Sequence, residues 1–500
     1  MWIPPTRVGQ RGRVRPERDT CRCAMDASVA GLVDSLRRGE PDLDRLGLVG
    51  DPEPVAAAAA FVAAAQDPDL QRWLERWVPA LLHSARPGAG AQRLRRLAQI
   101  CRNKGIHFAP ETFPALASVL GSSEFLARWL LLHPERVKSL AGDPPPPPAD
   151  QPLEADWDRI RDAKHEGLLR TAARDLCGRP FRESLRELSD LADRCLTAGL
   201  ACAAAETGLA SPALLTLGKL GGQELNFSSD VDLLFVYEPP SDSDPLAYNA
   251  EVGRLIRQFK KEMEARTPEG FGYRVDLDLR PEGPAGVLAN SIDAALEYYE
   301  TFGAEWERQM LIRLRPLPGD PVGSGFADQI QPFVYRRAID PDVIHEIRDM
   351  KSRIEEQRRR TGKNLDYELK DGAGGIRDVE FLVQSIQLFA GGDEPSIRTG
   401  NVLAALEAIA DRNLLPVPVV ESLERSYLWL RRAEHALQMA EEQQTARFPA
   451  DRAAQLGLAR RMGYADPTAD AAWNRLMEDW TEARTEVRGH FEALVLRAET

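Results

Sequence analysis

The sequence predicts an α+β chain that is mostly helical, with one small mixed sheet set between helical regions on either side. Long stretches rich in Ala, Leu, Arg and Glu place apolar residues three and four apart, as at Phe125, Leu126, Trp129 and Leu130. From Pro212 to about Pro318 the pattern changes to short apolar strands, turns and helices in alternation. From Gln331 onward the helical period returns, broken mainly at Asp371–Gly375, Gly391–Pro395 and the prolines at 416 and 418. With 500 residues the chain exceeds one compact core, and on the order of two to four domains are expected.

In chain order, residues 1–25 are rich in Arg and Pro, lack an apolar run suited to a secretory signal, and read as a disordered tail or an over-extended gene start before Met25. Residues 26–142 form an N-terminal helical region. Residues 143–151 open with a run of prolines that cannot continue a helix, and read as a stiff linker. Residues 152–330 hold the mixed-sheet core, entered through a helical segment from Ala155 to Glu206. Residues 331–500 form a C-terminal helical domain. The charged segment containing Arg358 to Arg360 reads as a solvated helix face.

Composition narrows the function classes. The chain is 43% apolar and 28% charged, ordinary for soluble globular material, and its net charge of −13 argues against a broad nucleic-acid-binding face. The longest uninterrupted apolar stretch, Val55 to Ala65, is about half of what spans a bilayer, so no membrane segment is expected. Six cysteines without paired metal-type spacing, apart from the lone Cys21/Cys23 pair, suggest free thiols and a cytoplasmic setting. Seven scattered histidines show none of the spacings of zinc enzymes, and no nucleophile elbow is present. His435 reads as a helix-packing residue.

The chemistry lies at Leu214 to Tyr237, an apolar strand, a glycine turn, and two aspartates at the head of a second apolar strand. On a strand, Asp230 and Asp232 project to the same face roughly 7 Å apart, with Leu234 and Val236 continuing it. Val231, Leu233, Phe235 and Tyr237 go to the other face. Buried carboxylates are strongly disfavoured alone, and hard divalent ions such as Mg²⁺ relieve them. The segment Tyr273 to Leu279 reads as a second strand with Asp276, Asp278 and Arg280 on one face, which adds a third carboxylate. Such a set suits two-metal phosphoryl or nucleotidyl transfer; an isolated Asp-x-Asp is also what a solvated strand end looks like. Gly221 and Gly222 would let backbone N–H groups approach phosphate, with Lys219 to neutralise charge. Ser229, Arg280 and Glu380 complete the candidate nucleotide-binding set, with a surface salt bridge the equal alternative for Arg280. In Glu305 to Arg315, Trp306, Met310, Leu311 and Leu314 read as the core side of a helix, leaving Arg308 and Arg313 as candidate phosphate contacts. After the glycines at 372, 374 and 375, a helix carries an apolar face (Val379, Leu382, Val383, Ile386) and a polar stripe (Arg377, Glu380, Gln384, Gln387). The stripe is either solvated or the far wall of a nucleotide cleft.

Six ordered segments, LGKLGGQELNFSSDVDLLFVY, YRVDLDLRPEGPAG, EYYETFGAEWERQMLIRLRP, FVYRRAIDPDVIHEIRDMK, LKDGAGGIRDVEFLVQSIQLFAGG and YLWLRRAEHALQ, resemble the motifs of glutamine synthetase adenylyltransferase/adenylyl-removing enzymes. The resemblance covers roughly Leu214 to Phe448. It implies a nucleotidyltransferase core of polymerase-beta type with helical companions. Family enzymes are two such halves in tandem, one adding AMP to a tyrosine of glutamine synthetase and the other removing it with phosphate to give ADP. This chain is half-length, and ELNFSSD with AGGIRDVEF resembles the N-terminal, adenylyl-removing half, which implies deadenylylation. By the same resemblance Asp230 and Asp232 match the metal-binding pair, Asp276 the third acidic position, and Gly221 and Gly222 the phosphate-side turn. Asp278 departs from the family, whose removing half commonly has Arg there; it either adds charge to the metal cluster or weakens phosphate binding. The implied partners are glutamine synthetase and, second, the PII signal protein, with phosphate and ADP, or ATP, as small substrates. The alternatives are AMP transfer from ATP and a non-catalytic module that binds glutamine synthetase or PII.

Overall fold

Five short strands form one mixed sheet in the computed structural model, which describes residues 27–39, 54–142, 146–336, 356, 367–464 and 469–496. The segment 1–25 with Cys21 and Cys23, part of the proline run, most of FVYRRAIDPDVIHEIRDMK and the Arg358 to Arg360 run lie outside the described residues. The strands are β1 (Ala213–Thr216), β2 (Val231–Tyr237), β3 (Val275–Asp276), β4 (Asn290–Ser291) and β5 (Arg315–Pro316). Their order is β3-β2-β1-β5, and β4 pairs with β2 beyond β3. β1 runs antiparallel to β2 and β5, whereas β3 and β4 run parallel to β2. This is the small mixed sheet that the sequence predicts.

The period-two pattern of β2 sets the layers. Its Val231, Leu233, Phe235 and Tyr237 join the apolar core built with the helices of residues 54–132 and with the long helices Trp157–Leu176, Phe181–Thr207 and Pro245–Glu264. Leu234 and Val236, with Ala213 and Leu215 of β1, belong to a second core shared with the helices Ile376–Ala390, Val402–Asp411, Val417–Glu441, Arg452–Arg461 and Ala469–Phe491. The sheet is therefore a wall between two helical blocks. Capping follows local chemistry: Asp156, Asp244, Asn401 and Asp451 each accept a backbone N–H in the first turn of the helix that follows. The two blocks also touch directly. Ser123 Oγ donates to Met439 O at 2.7 Å, Arg461 donates to Ser122 O at 3.1 Å, and Arg128 pairs with Glu441 at 2.8 Å.

Three expectations change. The strand expected over Tyr273 to Leu279 is only Val275–Asp276, because the Asp278 N–H turns back to Asp276 Oδ1 at 2.8 Å and ends the ladder. In the helix Glu305–Leu311, Trp306 is 42% exposed while Arg308 and the following Arg313 are buried. Arg308 donates to the carbonyls of Phe333 and Val334 and pairs with Glu305, so its charge fastens a helix end. Cys101, Cys195 and Cys202 are buried free thiols, as expected, but Cys177 is engaged in a disulfide. Among the described residues no single helix is long and apolar enough to cross a membrane.

Candidate active site

The glycine turn begins where β1 ends. The Leu217 N–H donates to Asp232 O at 2.8 Å, and Gly218 follows with φ +54°, a conformation that favours glycine. A Cβ on Gly218 would lie 1.9 Å from Asp232 Oδ2, so only glycine lets the turn sit against this carboxylate. The GKLGG sequence marks all three glycines alike, and only the fold singles out Gly218 for this contact. Gly221 and Gly222 answer a different demand: added Cβ atoms would meet Arg313 O at 1.9 Å and Gly400 O at 2.7 Å. The close approach there is protein backbone packing on protein backbone. Gly221→Ala is expected to cost about 1 to 3 kcal/mol through this overlap, read as a lower urea midpoint; an unchanged midpoint removes the packing role.

The loop from Gln223 to Ser229 is clamped onto the helix Val417–Glu441. Buried Arg431 donates to Asn226 Oδ1 at 2.9 Å, to Tyr427 Oη at 2.7 Å and to the Glu224 carbonyl. Ser228 N donates to Gln438 Oε1 at 2.8 Å, and Ser228 Oγ to Glu442 O at 2.9 Å. Ser229 lies inside the loop, its Oγ accepting from Asn226 N at 3.2 Å. These contacts hold the backbone that delivers Asp230 to the head of β2.

Asp230, Asp232 and Asp276 lie at one end of the sheet. Asp232 and Asp276 are register neighbours on the parallel strands β2 and β3, with side chains on the same side of the sheet. Asp230 precedes β2 and accepts from Gln444 Nε2 at 2.9 Å. An open cleft of about 440 Å³ is lined by Asp230, Asp276, Asp278, Lys260, Arg274 and Gln444, among others. Burial pushes the Asp232 carboxyl up to about 7, and Asp230 and Asp276 add to the effect, against the pull of Lys370 and Lys219. Asp278 is largely exposed, lies 3.8 Å from Arg280, and lines the cleft beside Asp276.

The candidate cations are differently placed. Lys219 Nζ lies 2.7 and 2.8 Å from the two oxygens of Glu434, and burial drives its pKa down to about 8 despite that partner. The Arg280 guanidinium is taken up by the carbonyls of Leu277, Pro284 and Gly286, so its donors shape the RPEGPAG turn. Glu380 meets Arg313 at 3.1 Å. Burial would raise its carboxyl, but Arg313 and then Arg431 hold it down at about 2. The rest of its stripe is not solvated either. Gln384 accepts from Gln309 at 2.8 Å, and Gln387 donates to the carbonyls of Ile397 and Thr399.

Three carboxylates at adjacent strand ends are the donor chemistry of a hard divalent cation, and the raised pKa of Asp232 reflects first its burial and then the nearby charges of Asp230 and Asp276, both of which a bound cation offsets. Among the described residues, no group of three or more His, Cys, Asp or Glu side chains is placed so that it could hold a metal ion as it stands. Asp276 spends one oxygen on the Asp278 N–H and Asp230 one on Gln444.

Comparison with known proteins covers both blocks. A family profile described as Glutamate-ammonia ligase adenylyltransferase matches residues 113–324, and one described as GlnD PII-uridylyltransferase matches residues 348–495. The bifunctional glutamine synthetase adenylyltransferase/adenylyl-removing enzyme of Nitrosococcus oceani is 35% identical, over 83% of this chain and 46% of that protein. Its counterpart in Xanthomonas campestris pv. campestris is 36% identical, over 76% of this chain and 42% of its own length. For Thioalkalivibrio sulfidiphilus the identity is 37%, over 67% and 35%. The chain spans about half the length of the curated relatives it matches, or less.

Proposed function

This chain belongs to the glutamine synthetase adenylyltransferase/adenylyl-removing enzyme family, and we propose that it removes AMP from the adenylylated tyrosine of glutamine synthetase, with inorganic phosphate as acceptor and ADP as product. The observation that carries the reading is the side-by-side register of Asp232 and Asp276, with Asp230 at the same strand end and with Asp230 and Asp276 lining an open cleft. The direction, removal instead of addition, rests on the likeness of ELNFSSD and AGGIRDVEF to the removing half.

An oxygen of hydrogen phosphate attacks the phosphorus of the tyrosyl adenylate. The bond from phosphorus to the tyrosine oxygen breaks, a phosphoanhydride bond forms, and the phosphate's proton passes to the tyrosine oxygen. Asp230, Asp232 and Asp276 are the residues that would hold Mg²⁺, which when bound neutralises charge on the phosphoryl oxygens. Gly218 keeps the wall behind Asp232 thin, and the Lys219–Glu434 pair locks the turn against the helix Val417–Glu441. Fixed groups of this kind act through positioning and charge, which is most of what phosphoryl chemistry requires.

The test uses glutamine synthetase carrying AMP labelled in its phosphate. Phosphate-dependent appearance of labelled ADP is the expected result. Pyrophosphate formed from ATP, with AMP added to glutamine synthetase, reverses the direction. Neither product, with glutamine synthetase or PII still bound, assigns the chain to a binding role.

A further inference from the structure

Most cations around the carboxylates are already committed to protein partners. Lys219 is held by both oxygens of Glu434, Lys260 by Glu264 at 2.9 Å, and Arg274 by Ser228 O and Oγ at 3.0 and 3.2 Å. Arg280 serves backbone carbonyls, Arg313 meets Glu380, and Arg377 meets Asp371 at 3.1 Å. Lys370, in the loop before the helix Ile376–Ala390, is the exception in this group. It is half-buried, and its ammonium makes no hydrogen bond or ion pair with any described residue.

The backbone of Lys370 is nevertheless firmly built. The Glu368 carboxylate accepts the N–H groups of Lys370 at 3.0 Å, of Asp371, and of Gly372 at 3.2 Å. Arg377 N donates to Lys370 O at 3.0 Å, and Ile376 N to Leu369 O at 2.9 Å. On the other side Leu369 N donates to Ala446 O at 2.8 Å, and Phe448 N to Tyr367 O at 3.0 Å. Two residues before Ala446 is Gln444, whose amide holds Asp230. One short segment thus ties the Lys370 loop to the first carboxylate, and the positive charge of Lys370 acts on Asp232, Glu380 and Glu434 alike.

We propose that Lys370, on the loop laced to the segment that holds Asp230, binds the phosphoryl oxygens of a nucleoside phosphate, as the cation that the helical block contributes to the reaction. The proposal deepens the phosphoryl-transfer reading above and rests on it. A compact ammonium on a long stem reaches an anion as a point charge. Lys370 can do so without leaving a buried partner, whereas Lys219 would have to give up its contacts to both oxygens of buried Glu434. The expectation that Lys219 neutralises phosphate passes in this way to a residue 151 positions later in the chain, in the glycine-rich segment Leu369–Gly375.

The experiment is a calorimetric titration of the full chain with ADP in MgCl2, on wild type, Lys370→Met and Lys370→Arg. Lys370→Met keeps the stem, so thermal stability stays within error while ADP binding weakens about 10- to 100-fold, the loss of one charge-assisted contact. Lys370→Arg recovers most of the affinity. Binding by Lys370→Met within twofold of wild type overturns the proposal, as does a wild-type chain that binds no ADP. A wild type that binds ADP but forms none from adenylylated glutamine synthetase overturns the deadenylylation reading alone, and the affinity of Lys370→Met then still decides the role of Lys370.

Discussion

Asp230→Asn is expected to lower phosphate-dependent release of AMP by about 10³-fold or more, the range seen when a fixed electrostatic group aimed at a reacting centre is lost. The fold should not register the change. Asp230 lies outside the strand proper, is partly open to the cleft, and its carboxylate accepts from the Gln444 amide at 2.9 Å, a hydrogen bond that an Asn oxygen accepts equally well. Steady-state release of labelled ADP, with a melting curve on the same sample, separates the two roles. Wild-type release by Asp230→Asn at unchanged stability removes Asp230 from the chemistry. A melting point lowered by many degrees removes the assumption that it is free of structural duty.

Asp232→Asn acts in the opposite sense on stability. The carboxyl of Asp232 is pushed up to about 7 by burial and by Asp230 and Asp276, from an ordinary value near 4. A raised folded-state pKa on an acid means that the folded chain holds the proton more tightly than the unfolded chain. The contribution to stability is therefore full below about pH 4 and is lost as pH rises to about 7. The loss is roughly 2 to 4 kcal/mol after allowance for the part of the group that faces the cleft. In metal-free buffer Asp232→Asn should match wild type at pH 4, exceed it increasingly between pH 4 and 7, and stay ahead by that amount at pH 8. Urea unfolding at several pH values measures the difference. Added MgCl2 should then raise the stability of wild type at pH 8 by mass action and leave the variant largely unmoved. A pH-independent difference disproves the raised pKa of Asp232, and equal responses to MgCl2 disprove the role of Asp232 in holding the ion.

What the sequence made legible was local. The alternation in VDLLFVY assigns each side chain of β2 to a face, and the structure sends those faces to two different cores. The Asp-x-Asp at its head and the third acid at Asp276 needed only the strand period and the register of β3 on β2. The Asp276/Asp278 pattern was ambiguous for a physical reason. An aspartate that accepts a backbone N–H two residues on makes a turn, and the same spacing fits a strand. The partners of the buried charges were not legible. Lys219 with Glu434, Asn226 with Arg431, and Arg313 with Glu380 join residues from 67 to 215 positions apart, and no local periodicity reports such pairs. Gly218 stood in plain view within GKLGG, yet its importance depends on a carboxylate fourteen residues later folding back against it.

β2 is covered on both sides by separate apolar blocks and fastened laterally to β1, β3 and β4. Its amide protons can exchange only when both coverings part. The acids at its head are thus carried by an anvil, a backbone that holds its place while the side chains and solvent around it move.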